Sequence, residues 1–436
     1  MNYTGLSLDE APPFSIPLRF FLSAPPFGVA AALLLAWTGP QALASRWTPA
    51  ALAAVHLMTL GYLTMVMAGA ALQLLPVLAG ARIARTRTVS AGLHVLLCAG
   101  TALLAVGFLT TSRTTLHWAL VILIAALASL ILVTGGALHG APSRPQSSRG
   151  LGLALAALAI TLTLAMWLAE RYLTPHAPTL AWTDVHLVWG LLGWVGLLVI
   201  TVARQVVPMF QMTPAYPALS DRWLARAIFL SLVGWSVVMG FVIDGRLPPR
   251  ASALAALPIA LGYGWFAAAT LWLQYRRRRR LPDVTVAYWR LGMGCLLLAI
   301  GLWLAGLAAP ALTRDSHYAP LLGVLVILGF GVSVIHGMLC KILPFLAWLH
   351  LHRARFASGR PRASIPSMKE LLPQRAARRQ FRLQFLSLVL LCAATLWPAM
   401  LTRPAALLLA VAFAEFWRLA VGTAWRYRRL ARPAPT

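Results

Sequence analysis

The stretch Ala51-Leu-Ala-Ala-Val-His56-Leu-Met-Thr-Leu-Gly61-Tyr-Leu-Thr-Met-Val-Met-Ala-Gly69-Ala-Ala-Leu-Gln73-Leu-Leu-Pro76-Val-Leu-Ala-Gly80 runs for 30 residues without Asp, Glu, Lys or Arg. A helix needs about 20 such residues to cross a hydrocarbon core roughly 30 Å thick. Similar runs recur outward from it in both directions. The expected spans are 18–37, 51–79, 89–110, 115–138, 151–173, 183–208, 226–243, 251–274, 288–309, 319–348, 383–402 and 404–425. Pro, Gly or charge punctuates each gap. Over the 436 residues, 60% are hydrophobic and 11% charged, about half the charge that a soluble chain uses to cover its surface. The expected fold is all-α: one polytopic transmembrane domain, 1–436, of about 12 helices.

The basic residues orient this bundle. Alternate connections carry Arg82, Arg85 and Arg87; Arg144 and Arg149; Arg222; the run Arg276 to Arg280; nine basic residues from Arg353 to Arg382; and Arg426, Arg428, Arg429 and Arg432. The other connections hold Arg46, Arg113, Arg171, Arg246, Arg250, Arg314 and Arg403, with Glu170, Asp244 and Asp315 nearby. Basic residues resist translocation, so both termini are expected on the cytoplasmic side, with 350–382 a basic cytoplasmic loop and 426–436 a cytoplasmic tail. The net charge of +27 then meets anionic lipid headgroups rather than nucleic acid. No basic cluster precedes the first apolar run, so a cleaved signal peptide is not expected. The four cysteines, Cys98, Cys295, Cys340 and Cys392, lie in apolar segments and form no Cys-x-x-Cys, so neither a disulfide framework nor a zinc knuckle is indicated.

An internal repeat follows from the prolines. Helix 2 ends Gln73-Leu-Leu-Pro76, helix 6 Gln205-Val-Val-Pro208 and helix 10 Lys341-Ile-Leu-Pro344, each with a polar residue three before the proline. Four helices separate each from the next, which points to three related four-helix units. His56 lies 20 residues before Pro76 and His186 22 before Pro208, whereas His336 lies eight before Pro344. At 1.5 Å per residue, His336 is roughly 15–20 Å nearer the cytoplasm than the other two. His56 and His186 can share a cofactor if helices 2 and 6 are neighbours, and His336 belongs to a second layer.

Ionisable side chains within a bilayer are expensive and mark functional sites or partners. His336 suits a ligand or a proton relay, and Cys340 follows one turn on, a His-x-x-x-Cys that could hold a soft metal. Asp184 is either an acceptor that orients an imidazole or an ordinary helix cap. Gln73, Gln205 and Lys341 mark the inner ends. Glu415 and Arg418, three apart, form an intramembrane ion pair, either structural glue, a proton path or a partner for heme propionates. Met58, Met65, Met67, Met209, Met212 and Met338 lie near these positions, read first as core packing. His94, His139, His350 and His352 are expected at the cytoplasmic ends, and His117 and His176 on the outer side.

The helix 2 string of His56, Gly61, Met67, Gly69 and Leu-Leu-Pro76-x-Leu-x-Gly80 resembles metal-binding helices of heme-copper oxidase subunit I. Pro17-x-Arg19-Phe-Phe-Leu22, with helix 2 of the form His-x4-Gly…Pro, is similar to the NnrS family, an oxidase relative linked to nitric oxide tolerance. The resemblance implies twelve helices, three-fold pseudo-symmetry, heme, b-type, with copper beside it, and His56, His186 and His336 among the cofactor ligands. It also implies work in nitric oxide, respiratory or denitrification metabolism, with electron-transfer partners in a bacterial-type inner membrane. Two departures stand out: helix 7 has no histidine and helix 10 has one, with His317 just outside it, so a complete oxygen-reducing site is not implied. A membrane transporter and an assembly factor for a respiratory complex are the alternative classes. Gly-rich phosphate loops, triads and paired carboxylates are absent, which leaves soluble-type hydrolysis and phosphoryl transfer without a basis.

Overall fold

The computed structural model describes residues 10–81, 83–141, 146–173, 180–278, 281–357 and 365–431. Among them there is no strand, because a chain in lipid must satisfy every backbone group within itself and the apolar runs do so as helices. The long helices are α1 (Ser15–Thr38), α2 (Pro49–His56, Leu57–Thr64 and Met65–Ala79 in succession), α3 (Thr86–Thr110), α4 (Arg113–His139), α5 (Gln146–Leu173), α6 (Leu180–Val188, Trp189–Gly196 and Leu197–Gln211), α7 (Ala218–Ile243), α8 (Pro249–Tyr275), α9 (Val284–Ala308), α10 (Tyr318–Gly323, Val324–Val332 and Ser333–Ala357), α11 (Gln374–Leu396) and α12 (Pro398–Ala431). Local chemistry sets their ends. Thr48 caps α2 ahead of Pro49, Ser112 caps α4 and Asp283 caps α9, each side chain accepting an otherwise orphaned N–H. Gly80 closes α2 in the left-handed conformation, φ +62°.

Eleven of these helices are long and apolar enough to cross a membrane. The exception is α11, whose first turns carry Arg375, Arg378, Arg379 and Arg382, all exposed. The last two spans expected from sequence are also divided differently. Trp397 ends α11 and Pro398 opens α12, so 398–402 belongs to the last helix. A proline suits the first turn of a helix, where its missing N–H has no intrahelical acceptor to lose, so the new helix opens at Pro398. Much of the expected basic loop at 350–382 is helical: α10 continues to Ala357, α11 starts at Gln374, and Met368–Leu371 forms a single turn between them. Arg, Gln and Ala favour helix, and arginine snorkels from a helix end toward the interface. For the same reason most of the expected tail from 426 is the end of α12, which runs to Ala431.

The basic connections gather at one end of the bundle. There Phe14 stacks on His350 and meets Tyr427 edge-on, Lys341 pairs with Asp283 at 2.7 Å, Arg426 donates to the Leu371 carbonyl, and the Arg278 N–H reaches the Met212 carbonyl. The opposite end holds the Arg46–Asp184 pair.

The interior is organised around α2, α6 and α10, whose most apolar stretches are 72%, 61% and 61% buried, against 50% or less elsewhere. Each contains a π-helical segment, and the three segments touch pairwise. These segments end at Thr64, Gly196 and Val332, in every case twelve residues before Pro76, Pro208 or Pro344. Each carries Leu-Gly-aromatic in the same register: Leu60-Gly61-Tyr62, Leu192-Gly193-Trp194 and Leu328-Gly329-Phe330. The three aromatics are 0%, 2% and 1% exposed.

The preceding helix packs on each glycine. A Cβ on Gly61 would lie 2.5 Å from the Phe27 ring of α1, one on Gly193 2.9 Å from the Ala157 Cβ of α5, and one on Gly329 2.7 Å from the Cys295 Cβ of α9. Eight residues further along the central helices, Gly69 meets Phe20, Thr201 meets Gly150, and Gly337 meets Tyr288. On the outer helices those contacts sit seven residues before the first set, at 20 and 27, 150 and 157, 288 and 295. The same interlock thus occurs three times, between α1 and α2, α5 and α6, and α9 and α10.

Candidate functional site

Two polar constellations lie within this scaffold. The first joins α2 to α6 at the end away from the basic loops. His56 Nδ1 meets the Leu52 carbonyl at 2.8 Å, and His186 Nδ1 meets the Thr161 carbonyl of α5 at 3.2 Å. A carbonyl only accepts, so Nδ1 carries the proton in both, and the neutral ring keeps its lone pair on Nε2. Phe108 packs on His56 with ring centroids 5.2 Å apart. Deeper along the same seam, Trp194 Nε1 donates to Thr64 Oγ1 at 3.1 Å, tying the π segments of α2 and α6 together. His56 and His186 thus stand near the same end of α2 and α6, each fixed through Nδ1 to a main-chain carbonyl.

Asp184 has a different role from the orienting acceptor considered from sequence. Arg46 takes its carboxylate at 2.5 Å, and main-chain carbonyls orient both imidazoles instead. Arg46, which precedes the helix and has no periodicity to mark it, was not legible as its partner.

The second constellation surrounds His336, which is 0% exposed. Four rings enclose it: Phe416 stacked at 4.0 Å between centroids, with Phe413 at 5.4 Å, Tyr62 at 5.5 Å and Tyr288 at 5.8 Å. Neither ring nitrogen has a hydrogen-bond partner among the described residues, nor has the Tyr62 hydroxyl. Tyr288 donates to Gln380 Oε1. On α9 and α11 the buried Thr285 hydroxyl, the Trp289 N–H and the Gln384 amide are also unpaired. An unpaired buried polar group costs about 1–3 kcal/mol, and this many close together point to a place built for something other than stability. His336 has no counterpart in the other units; Ala68 and Ile200 hold the equivalent positions, also eight before the proline. The lining aromatics from α9 and α12 were not singled out from sequence, where they look like any other apolar residue.

Cys340 is 3% exposed and one turn from His336, as expected. However, no three His, Cys, Asp or Glu side chains among the described residues come together as they would around a metal ion. The outer and inner histidines also remain in separate layers. Lys341 is committed to Asp283, and the Gln73 carbonyl oxygen is buried without a partner. Gln205 is half-buried on α6. Met58, Met65, Met67 and Met338 are buried in the common apolar core, consistent with packing.

The Glu415–Arg418 pair forms as expected, with Arg418 Nε 2.7 Å from Oε2 and Nη2 2.8 Å from Oε1. A second guanidinium, Arg379 of α11, joins it at 2.5 Å. Sequence spacing within α12 could not reveal that partner, because it arrives from another helix.

In comparisons with known proteins, no family model matches the chain and no curated protein matches it.

Proposed function

We propose that this is a heme-binding membrane protein of the oxidase-like kind, its cofactor held by His56 and His186 between α2 and α6. The observation that carries the proposal is the preparation of these two imidazoles: on neighbouring central helices, each fixed through Nδ1 to a carbonyl, each with Nε2 left as a ligand lone pair. Metal-bound histidine is ordinarily fixed through its other nitrogen in this way. Heme asks a protein for only one or two axial side chains, so this donor set fits it. Copper held by three or four protein ligands lacks its donors among the described residues. Heme would supply one-electron chemistry; the protein's own share is to orient the two imidazoles and to cover His56 with Phe108. His336 supports a second role deeper in the bundle, as a ligand or as a proton relay.

The basic end is assigned to the cytoplasm, which puts both termini inside and the His56–His186 layer near the outer face of a bacterial-type inner membrane. From there the cofactor can exchange electrons with respiratory or denitrification partners, in nitric oxide tolerance or a related reaction. The test is the visible spectrum and metal content of detergent-purified protein expressed with ample heme and copper. A Soret band with about one iron per chain is expected. Protein free of both metals and without a Soret band would overturn the proposal.

A further inference from the structure

The α11–α12 pair carries a charged group that the proposed cofactor does not use. Glu415 is 9% exposed, while Arg379 and Arg418 on either side of it are 63% and 57% exposed. Both guanidinia turn the same edge, Nε and Nη2, to the carboxylate. A guanidinium has five N–H donors, so about three on each arginine remain, directed away from Glu415 and unmatched by any described acceptor. The triad keeps one net positive charge.

Its depth is set by the hairpin. Arg379 lies 18 residues before Trp397 and Glu415 18 after it, about 27 Å along each helix, which places the group at the basic-side edge of a roughly 30 Å core. Farther into the core the same two helices are apolar and open. Phe385, Leu386 and Val389 of α11 and Leu407 and Val411 of α12 are 43–52% exposed. Trp417, next to Arg418 in the chain, is 43% exposed. Arg375 and Arg382 extend the positive face of α11. A fixed pair of forks at headgroup depth, above an exposed apolar strip, matches an anion that carries acyl chains. Arginine forks suit phosphate oxygens through paired, charge-assisted hydrogen bonds.

We infer that Arg379 and Arg418, held in place by Glu415, form a binding site for the phosphate headgroup of an anionic phospholipid, whose acyl chains lie along Phe385 and Val411. One phosphodiester neutralises the remaining charge. A zwitterionic lipid would add a cation beside two arginines and fit poorly.

Native mass spectrometry of the full-length protein in mild detergent tests this, with dioleoyl phosphatidylglycerol, dioleoyl phosphatidylcholine or inorganic phosphate added. Wild-type protein should retain phosphatidylglycerol on the order of tenfold more than phosphatidylcholine. Arg379→Gln with Arg418→Gln should abolish that preference, and Arg428→Gln with Arg429→Gln, an equal loss of charge at the end of α12, should leave it intact. Arg379→Lys with Arg418→Lys keeps the charge without the forks and should lose part of the preference, a readout that stands if the glutamine pair does not fold. Unchanged retention in both Arg379/Arg418 variants, an equal loss in the Arg428/Arg429 control, or displacement of phosphatidylglycerol by inorganic phosphate would each overturn the inference. The last result would identify a site for free anions.

Discussion

Gly61→Ala probes the interlock on which the three central helices depend. The new Cβ would lie 2.5 Å from Phe27 Cγ and 2.7 Å from its Cβ, against about 3.5–4.0 Å for an ordinary carbon contact. To accept it, α1 and α2 must separate by about 1 Å, because the atoms met are the Cβ and ring root of Phe27 and not a free side-chain end. Overpacking of this kind costs about 1–3 kcal/mol, and the better helix propensity of alanine returns about 1 kcal/mol. The expected net loss is about 0–2 kcal/mol, or about 1–3 kcal/mol relative to an alanine that meets no neighbour. Gly329→Ala, with its Cβ 2.7 Å from Cys295 Cβ, should resemble it, and Gly193→Ala, at 2.9 Å from Ala157 Cβ, should be milder. Gly234→Ala and Gly301→Ala meet nothing within 4 Å and should be neutral or stabilising by up to about 1 kcal/mol. Reversible unfolding in mixed detergent–SDS micelles measures all five. Truncating the partner supplies the internal check: in a double-mutant cycle, Gly61→Ala and Phe27→Ala should couple favourably by about 1 kcal/mol or more. Core variants as stable as Gly234→Ala, or zero coupling to Phe27, would refute the interlock.

Three further outcomes follow from single contacts. Tyr62→Phe removes a buried hydroxyl that has no partner, so cofactor-free protein should be as stable as wild type or more stable by about 1 kcal/mol in the same unfolding assay; a clear loss would mean that the hydroxyl is paired. Trp194→Phe breaks the bond to Thr64 between two π segments and should cost about 1–2 kcal/mol. Asp283→Ala removes both the cap of α9 and the partner of Lys341; the cap alone is worth about 1 kcal/mol, and hydrogen exchange should rise first in the opening turn of α9.

Much of this architecture could be read from the order of residues. Uncharged runs marked the helices, and the prolines at 76, 208 and 344 marked three equivalent ones, because proline and its polar neighbour three before it survive as local signals. The Leu-Gly-aromatic triplet fourteen to sixteen residues before each proline was equally visible. Its meaning depends on what faces the glycine, and that comes from another helix. The similar depth of His56 and His186 followed from their spacing to the prolines. Their shared orientation did not, since Leu52 and Thr161 act through main-chain carbonyls that leave no mark in the side-chain pattern. Arg379 and Arg46 escaped for the same reason in reverse: each meets its carboxylate across a long sequence separation, from Arg46 to Asp184 and from Arg379 to Glu415. The break at Trp397–Pro398 was misplaced because 383–402 carries no charged side chain, and only the proline marks the turn.

The visible spectrum of heme-loaded protein, compared among wild type, His56→Ala, His186→Ala and His336→Ala, addresses the cofactor most directly. Cofactor ligation between α2 and α6 predicts a low-spin Soret band in wild type, lost or converted to high spin in both the His56 and His186 variants and retained in His336→Ala. A band untouched by either outer substitution and abolished by the inner one would contradict that assignment and move the cofactor to the aromatic cage around His336.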